Sequence, residues 1–183
     1  MLFLVFGSSA SGKTFALAPL SRRLPDLVVH DFDEIGVPAG ADLEWRLWAN
    51  EEWLRTALRH QRAGRDMLLA GNTPPGELLD SPSAPLVEAI SACLLDCDDA
   101  TRTERLRARG ESWLARTGAE LTDYLAWAER LRQHASLAGS RVRTIDTSRL
   151  PIDDVADELA GWIRAERASA HAKPDGPCRL PET

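Results

Sequence analysis

Eight consecutive residues, Gly7-Ser8-Ser9-Ala10-Ser11-Gly12-Lys13-Thr14, constrain this chain more than any others. They satisfy the pattern G-x-x-x-x-G-K-[ST], and their surroundings supply the context the pattern needs. The apolar run Leu2 to Phe6 precedes them and predicts a fully buried strand. Phe15 to Leu24 follows with apolar residues at helical spacing, although Pro19 should kink that helix or end it early. Gly7 and Gly12 allow a close backbone approach. The N–H groups of the loop, across Ser8, Ser9, Ala10 and Ser11, then converge as an anion nest at a helix N-terminus. Lys13 is placed to reach the β- and γ-phosphates of a nucleotide, and the Thr14 hydroxyl to ligate Mg²⁺. The chain has only two lysines, Lys13 and Lys173, against 20 arginines. An ammonium at position 13 therefore marks a requirement for a compact point charge.

The chain length of 183 residues and an apolar content of 44% are those of a globular protein of one domain, two at most. No apolar run approaches the roughly 18–20 residues that cross a bilayer, and no basic segment precedes the first run as an export signal would require. A net charge of -6 argues against a broad nucleic-acid-binding face. Cys93 and Cys97, four apart in one predicted strand, would stand about 13 Å apart. That span exceeds the roughly 7 Å limit of a disulfide, so both are expected to be packing thiols in a reducing, cytoplasmic setting.

Four further strands are expected at Leu27 to His30, Met67 to Ala70, Ala92 to Cys97 and Val142 to Ile145. Helices are expected at about Asp42 to Gly64, Asp99 to Arg109, Ala119 to Leu137 and Ile152 to Arg167. Alternation of this kind predicts an α/β fold, a parallel sheet covered on both faces, with ligands at the C-terminal strand ends. Those ends carry the candidate site. After the second strand, Asp31 and Asp33 would share one side of an extended chain, Asp31 near Mg²⁺ and Asp33 as base or ligand of an acceptor hydroxyl. After the third strand stand Gly71 and Asn72 where a second acidic metal ligand is often found, and Asn72 is a candidate substrate contact. After the fourth, Arg102, Arg105 and Arg109 share a helix face, and Arg116 lies in a segment able to fold over the site. Arginines there can neutralise a transferring phosphoryl group. Thr147 and Ser148, after the last strand, are placed to meet the nucleotide base.

Tryptophans add a further signal. On the helix from Asp42, Leu43, Leu47, Leu54 and Leu58 form one stripe, expected to pack on the sheet. Trp45 and Trp48 lie roughly 200° and 140° from Leu43. Stacking on a flat substrate, packing under a lid or a homodimer interface would each explain them, while Trp53 belongs nearer the core.

Taken together, GSSASGKT, the Asp31-x-Asp33 pair, LLDCDDATRTERLRARG and the closing strand with IDTS resemble the small P-loop kinases. These phosphorylate nucleosides, nucleotides, shikimate, gluconate, adenylylsulfate or antibiotics. The resemblance implies a three-layer αβα fold with a five-stranded parallel sheet in 2-3-1-4-5 order. The kinase domain would span residues 1–167, with a lid at about 109–120 and a flexible tail over 168–183. It implies ATP and Mg²⁺ as cosubstrates, with Asp33 meeting the acceptor, Arg105 or Arg109 the phosphates or adenine, and Arg116 on the lid side. The acceptor would be a small hydroxylated molecule, such as a nucleoside or another flat compound. The alternative is a nucleotide-binding switch that uses the same loop against a protein partner.

Overall fold

The computed structural model describes residues 1–110, 119–138 and 142–172. Five strands, β1 (Leu2–Phe6), β2 (Val28–Asp31), β3 (Met67–Gly71), β4 (Ile90–Asp96) and β5 (Val142–Asp146), form one sheet. Its order is β2-β3-β1-β4-β5, as expected, and every pairing is parallel. The helices are α1 (Lys13–Arg23), α2 (Leu43–Arg62), α3 (Pro75–Leu79), α4 (Asp99–Ala108), α5 (Leu121–Ala138) and α6 (Ile152–Ala172). Short 3₁₀ turns occupy Phe32–Ile35 and Ala84–Leu86.

The central strand explains the layering. All five β1 residues are buried, because helices cover both faces. Leu2, Leu4 and Phe6 point to one side, against Trp53, Leu54 and Ala57 of α2, Leu78 of α3 and Leu131 of α5. Phe3 and Val5 point to the other, against Ala16 and Leu20 of α1 and Val155, Leu159 and Ile163 of α6. Alternation along one strand thus feeds two separate cores. No described helix is long and apolar enough to cross a membrane. Cys93 and Cys97 are free and buried, and burial pushes both thiols up.

Several expected boundaries move. Helix α1 continues through Pro19 to Arg23 rather than ending early. Helix α6 runs through Ala172, five residues past the expected end at Arg167, and residues 173–183 lie outside the described ones. The stretch after β3, for which no element was expected, forms α3 with Pro75 in its first turn, where proline's missing N–H costs nothing.

The stripe on α2 also differs. Leu54 and Leu58 are buried, but Leu43 and Leu47 are exposed. The buried face is Ala49, Asn50, Trp53, Leu54, Ala57 and Leu58. At its start the helix packs instead on the 3₁₀ turn, where Trp45 meets Phe32 edge-on at 6.1 Å. Trp53, in the core as expected, donates from Nε1 to the Phe32 carbonyl at 3.1 Å.

Phe32 also accounts for Gly71. A Cβ at position 71 would stand 2.8 Å from Phe32 Cβ and 3.2 Å from its Cγ. Gly71→Ala is therefore expected to cost about 1–3 kcal/mol through displacement of Phe32. Urea unfolding measures this; an unchanged midpoint would show that Phe32 yields freely.

Candidate functional site

The loop between β1 and α1 is shaped by what holds its carbonyl groups. Lys13 Nζ donates to the carbonyls of Gly7 (2.6 Å) and Ser8 (3.0 Å). Arg102 Nη1 donates to the Ser9 carbonyl at 2.6 Å. Arg105 Nη1 donates to the Ala10 carbonyl at 3.2 Å, and the Thr147 hydroxyl to that of Ser11 at 3.0 Å. Five consecutive carbonyls thus have side-chain donors. Ala10 is the one non-glycine among the described residues with positive φ, at 64°, followed by Gly12 at 93°. Gly7 has no room for a side chain: a Cβ would lie 2.2 Å from the Leu95 carbonyl oxygen.

Behind the loop lies a charged cluster. Arg102 is fully buried and pairs with Asp96 at the end of β4, while its Nη2 also reaches the Cys97 carbonyl at 3.3 Å. Arg132 of α5 donates to the other Asp96 oxygen at 2.6 Å and to Asp99 at 2.7 Å. The Asp96 carbonyl accepts from the Thr147 N–H at 2.7 Å. One carboxylate therefore ties α4 and α5 together beneath the loop, and its backbone holds the turn after β5. Ser8 Oγ, donating to the Tyr124 carbonyl at 3.0 Å, adds a second link to α5.

In front of the loop lies a cavity of about 670 Å³. Ser9, Ala10, Gly12, Lys13 and Thr14 line its middle; Arg105, Arg109, Thr147 and Leu150 line one part, and Asp31, Asp33, Gly71 and Asn72 another. The Lys13 ammonium is lowered to about 7, chiefly by burial, with Asp31 opposing the shift. A half-buried cation at the N-terminus of a helix suits a polyanion. Thr14 Oγ1 donates to Asp31 Oδ2 at 2.9 Å. Asp31 is held in turn, because its Oδ1 accepts from the Asp33 N–H at 3.1 Å while Glu34 accepts from the Asp31 N–H. A hydroxyl beside an oriented carboxylate, next to the N-terminus of α1, is a donor set that fits Mg²⁺ carried by a nucleotide. Asp33 is raised by partial desolvation first and by the Asp31 charge second, with Lys13 opposing.

The expected residues converge in large part. The chain turns into the 3₁₀ segment at Phe32 and is not extended, yet Asp31 and Asp33 still line one cavity. Arg105 faces the cavity but is committed to Ala10 and to Thr147, whose carbonyl it reaches at 2.6 Å. It braces the loop from the side. Arg109 lines the cavity, and Arg116 lies outside the described residues. Ser148 Oγ accepts from the Asp98 N–H at 2.8 Å and is absent from the lining. Trp45 and Trp48 do not line the cavity either: Trp45 lies against Phe32, and Trp48 is half exposed. Sequence reasoning missed the support from Asp96 and Arg132 and the apolar contribution of Phe15 and Ile152 to the cavity wall. An acid closing an apolar strand, followed six residues later by an arginine on a helix face, is the signal that could have found Arg102.

No family model matches this sequence, and no curated protein matches it. Solved structures match the fold. A sugar kinase from Janibacter sp. HTCC2649 superposes with a TM-score of 0.64 at 16% identity, covering 91% of this chain and 96% of that one. The tunicamycin resistance protein of Deinococcus radiodurans gives 0.62 at 16%, covering 88% and 94%. Shikimate kinase from Aquifex aeolicus gives 0.56 at 16%, covering 94% and 100%. The chain has the three-layer αβα fold of the small P-loop kinases.

Removing the buried guanidinium tests the support behind the loop. Arg102→Met is expected to cost about 3 kcal/mol, the low end for breaking a buried ion pair, because Asp96 retains Arg132. Denaturant unfolding reports the loss, and a change below about 1 kcal/mol would contradict the role given to Arg102.

Proposed function

We propose that this protein is an ATP-dependent phosphotransferase that moves the γ-phosphoryl group to a hydroxyl of a small molecule. One observation carries the proposal: a single cavity joins the Lys13 cradle to Asp33 and Asn72. A phosphate site alone would suit any nucleotide-binding protein. A carboxylate of raised proton affinity facing the same space supplies what an acceptor needs. The fold shared with sugar and shikimate kinases supports the same reading. The site is expected to work in the cytoplasm, where the nucleotide is available and buried thiols stay reduced.

The roles follow from position. The loop N–H groups and Lys13 bind the phosphates, and Phe15, Leu150 and Ile152 offer an apolar rim for the base. Thr14 and Asp31 would hold Mg²⁺, which when bound neutralises phosphate charge. Asp33 orients the acceptor hydroxyl and takes its proton as the oxygen bonds to the γ-phosphorus. The bond from that phosphorus to the β–γ bridging oxygen breaks, leaving ADP and a phosphorylated acceptor. Arg109, and Arg116 by its place in sequence, would stabilise the transferring group. The tryptophans lend no weight to a flat acceptor, since Trp45 is occupied by Phe32.

ADP formation from Mg-ATP across a panel of sugars, nucleosides, hydroxy acids and antibiotics tests the proposal, with Lys13→Ala as blank. An acceptor-dependent signal lost in the blank is expected. ADP release indifferent to every acceptor would replace it with the nucleotide-switch reading. Once an acceptor is found, Asp33→Asn is expected to lower kcat by roughly 10²–10⁴-fold. Because Asp33 must be ionised to act and its proton affinity is raised, kcat/KM should fall with decreasing pH at a higher pH than an ordinary carboxylate gives.

Lys13 predicts a proton-linked binding step. At pH 8 a group lowered to about 7 is mostly neutral, whereas bound phosphates favour its charged form. Nucleotide binding should therefore take up close to one proton at pH 8 and little at pH 6. Calorimetry in buffers of different ionisation enthalpy measures the uptake; a binding enthalpy independent of buffer at pH 8 would contradict it.

A further inference from the structure

The end of the cavity away from Asp33 bears on the choice of phosphoryl donor. The sheet order sets the two ends apart: β2 and β3 lie on one side of β1, β4 and β5 on the other. Asp31, Asp33 and Asn72, at the ends of β2 and β3, are the only acid and amide side chains among the described lining residues. They stand on the side that the proposed function gives to the acceptor. On the side of β4 and β5 the lining includes Arg105, Arg109, Thr147, Leu150 and Ile152, joined by Phe15 from the first turn of α1. Ile152 adjoins the loop: a Cβ on Gly12 would stand 4.0 Å from its Cδ1.

Phe15 has no packing role within the chain. It is 74% exposed and belongs to neither core, yet it lines the cavity. Leu150 is also exposed. Apolar side chains left open beside a cavity suit a flat aromatic ring, and stacking tolerates any base because every base has a π-face.

Adenine and guanine differ at the edge of the ring. Adenine carries an amino donor where guanine carries an oxo acceptor, so telling them apart takes a polar group aimed at that edge. The polar groups of the turn after β5 are engaged within the protein. Thr147 gives its hydroxyl to the Ser11 carbonyl, and its own carbonyl accepts from Arg105. Asp146, the acid of this turn, accepts on Oδ1 from both the N–H (2.8 Å) and the hydroxyl (2.5 Å) of Ser148. Asp98 caps α4, accepting from the Thr101 N–H at 2.7 Å. Arg105 and Arg109 carry donors only, and both purines offer the same N7 acceptor to a donor.

We propose that the site holds the base of its phosphoryl donor by the ring faces, with Phe15 stacking on it, and takes adenosine and guanosine triphosphates without distinguishing them. The proposal rests on the phosphotransferase reading, which places the donor's phosphates at Lys13.

Calorimetric titration in the presence of Mg²⁺ tests it with three probes: the β,γ-imido analogues of ATP and GTP, and inorganic tripolyphosphate, which has no base. The Kd values of the two analogues are expected to lie within about tenfold of each other, and both analogues to bind more tightly than tripolyphosphate. Phe15→Ala is expected to weaken both analogues by about fivefold or more and to leave tripolyphosphate unchanged, which reports an intact loop. Phe15→Trp keeps a stacking face and should keep the affinity of both. A wider preference for either purine would show that the edge is read and would overturn the proposal, since sites built on hydrogen bonds discriminate by about 10⁴-fold or more. Analogues that bind no tighter than tripolyphosphate, or that are indifferent to Phe15→Ala, would overturn the stacking role. Each of these failures leaves the phosphotransferase reading standing. Failure of all three probes to bind would overturn that reading and this proposal together.

Discussion

Everything at this site depends on five consecutive backbone carbonyls that are held by side-chain donors. A loop can present its N–H groups to an anion only if its carbonyls point elsewhere, and buried carbonyls need donors. Lys13, Arg102, Arg105 and Thr147 supply them in order, from Gly7 to Ser11. Left-handed backbone at Ala10 costs about 1–2 kcal/mol, whereas each hydrogen bond from a charged donor contributes about 1.5–3 kcal/mol. The balance favours the bound conformation before any ligand arrives. A glycine at position 10 would relax the backbone, but the neighbouring arginines make it unnecessary.

The donors need anchoring, and this explains why a fully buried arginine is tolerated. Arg102 would be unaffordable alone in the core. Asp96 neutralises it, and Arg132 shares the same carboxylate from the opposite helix. Helices α4 and α5, which flank residues 111–118 in sequence, are therefore both fastened to the end of β4. Structural stability and loop geometry come from one cluster: the ion pair that fills the space behind the loop also fixes the loop's shape.

Much of this is legible in the sequence, and the limits have physical causes. The sheet order and the loop between β1 and α1 follow from strong, local patterns: continuous apolar strands, glycines at set spacing, and helices of more than ten residues. Asp31, Asp33 and Asn72 follow from the rule that ligands gather at strand ends. The α2 stripe does not, because periodicity tells which residues share a face but not where the helix leaves the sheet. Leu47 is in phase with Leu54, yet Leu54 is buried and Leu47 is exposed. The arginines divide for a similar reason. Spacing places Arg102, Arg105 and Arg109 together, but only the depth of α4 against the loop decides which brace it. Pairings such as Arg46 with Glu77, 31 residues apart, have no local signature at all.

The departure at the end of β3 shows how one packing choice propagates into the chemistry. The 3₁₀ turn brings Phe32 over position 71, so only glycine fits there, and a second acid at that strand end is excluded by volume. Asp31 then stands alone beside Thr14, and its geometry must be secured by other means. The same turn does so: it draws the Asp33 N–H onto Asp31 Oδ1 and leaves Oδ2 for Thr14. The turn also sets Asp33 against the cavity with its proton affinity raised. Phe32 therefore leaves no room for an acidic side chain at position 71 and belongs to the turn that orients Asp31 and Asp33.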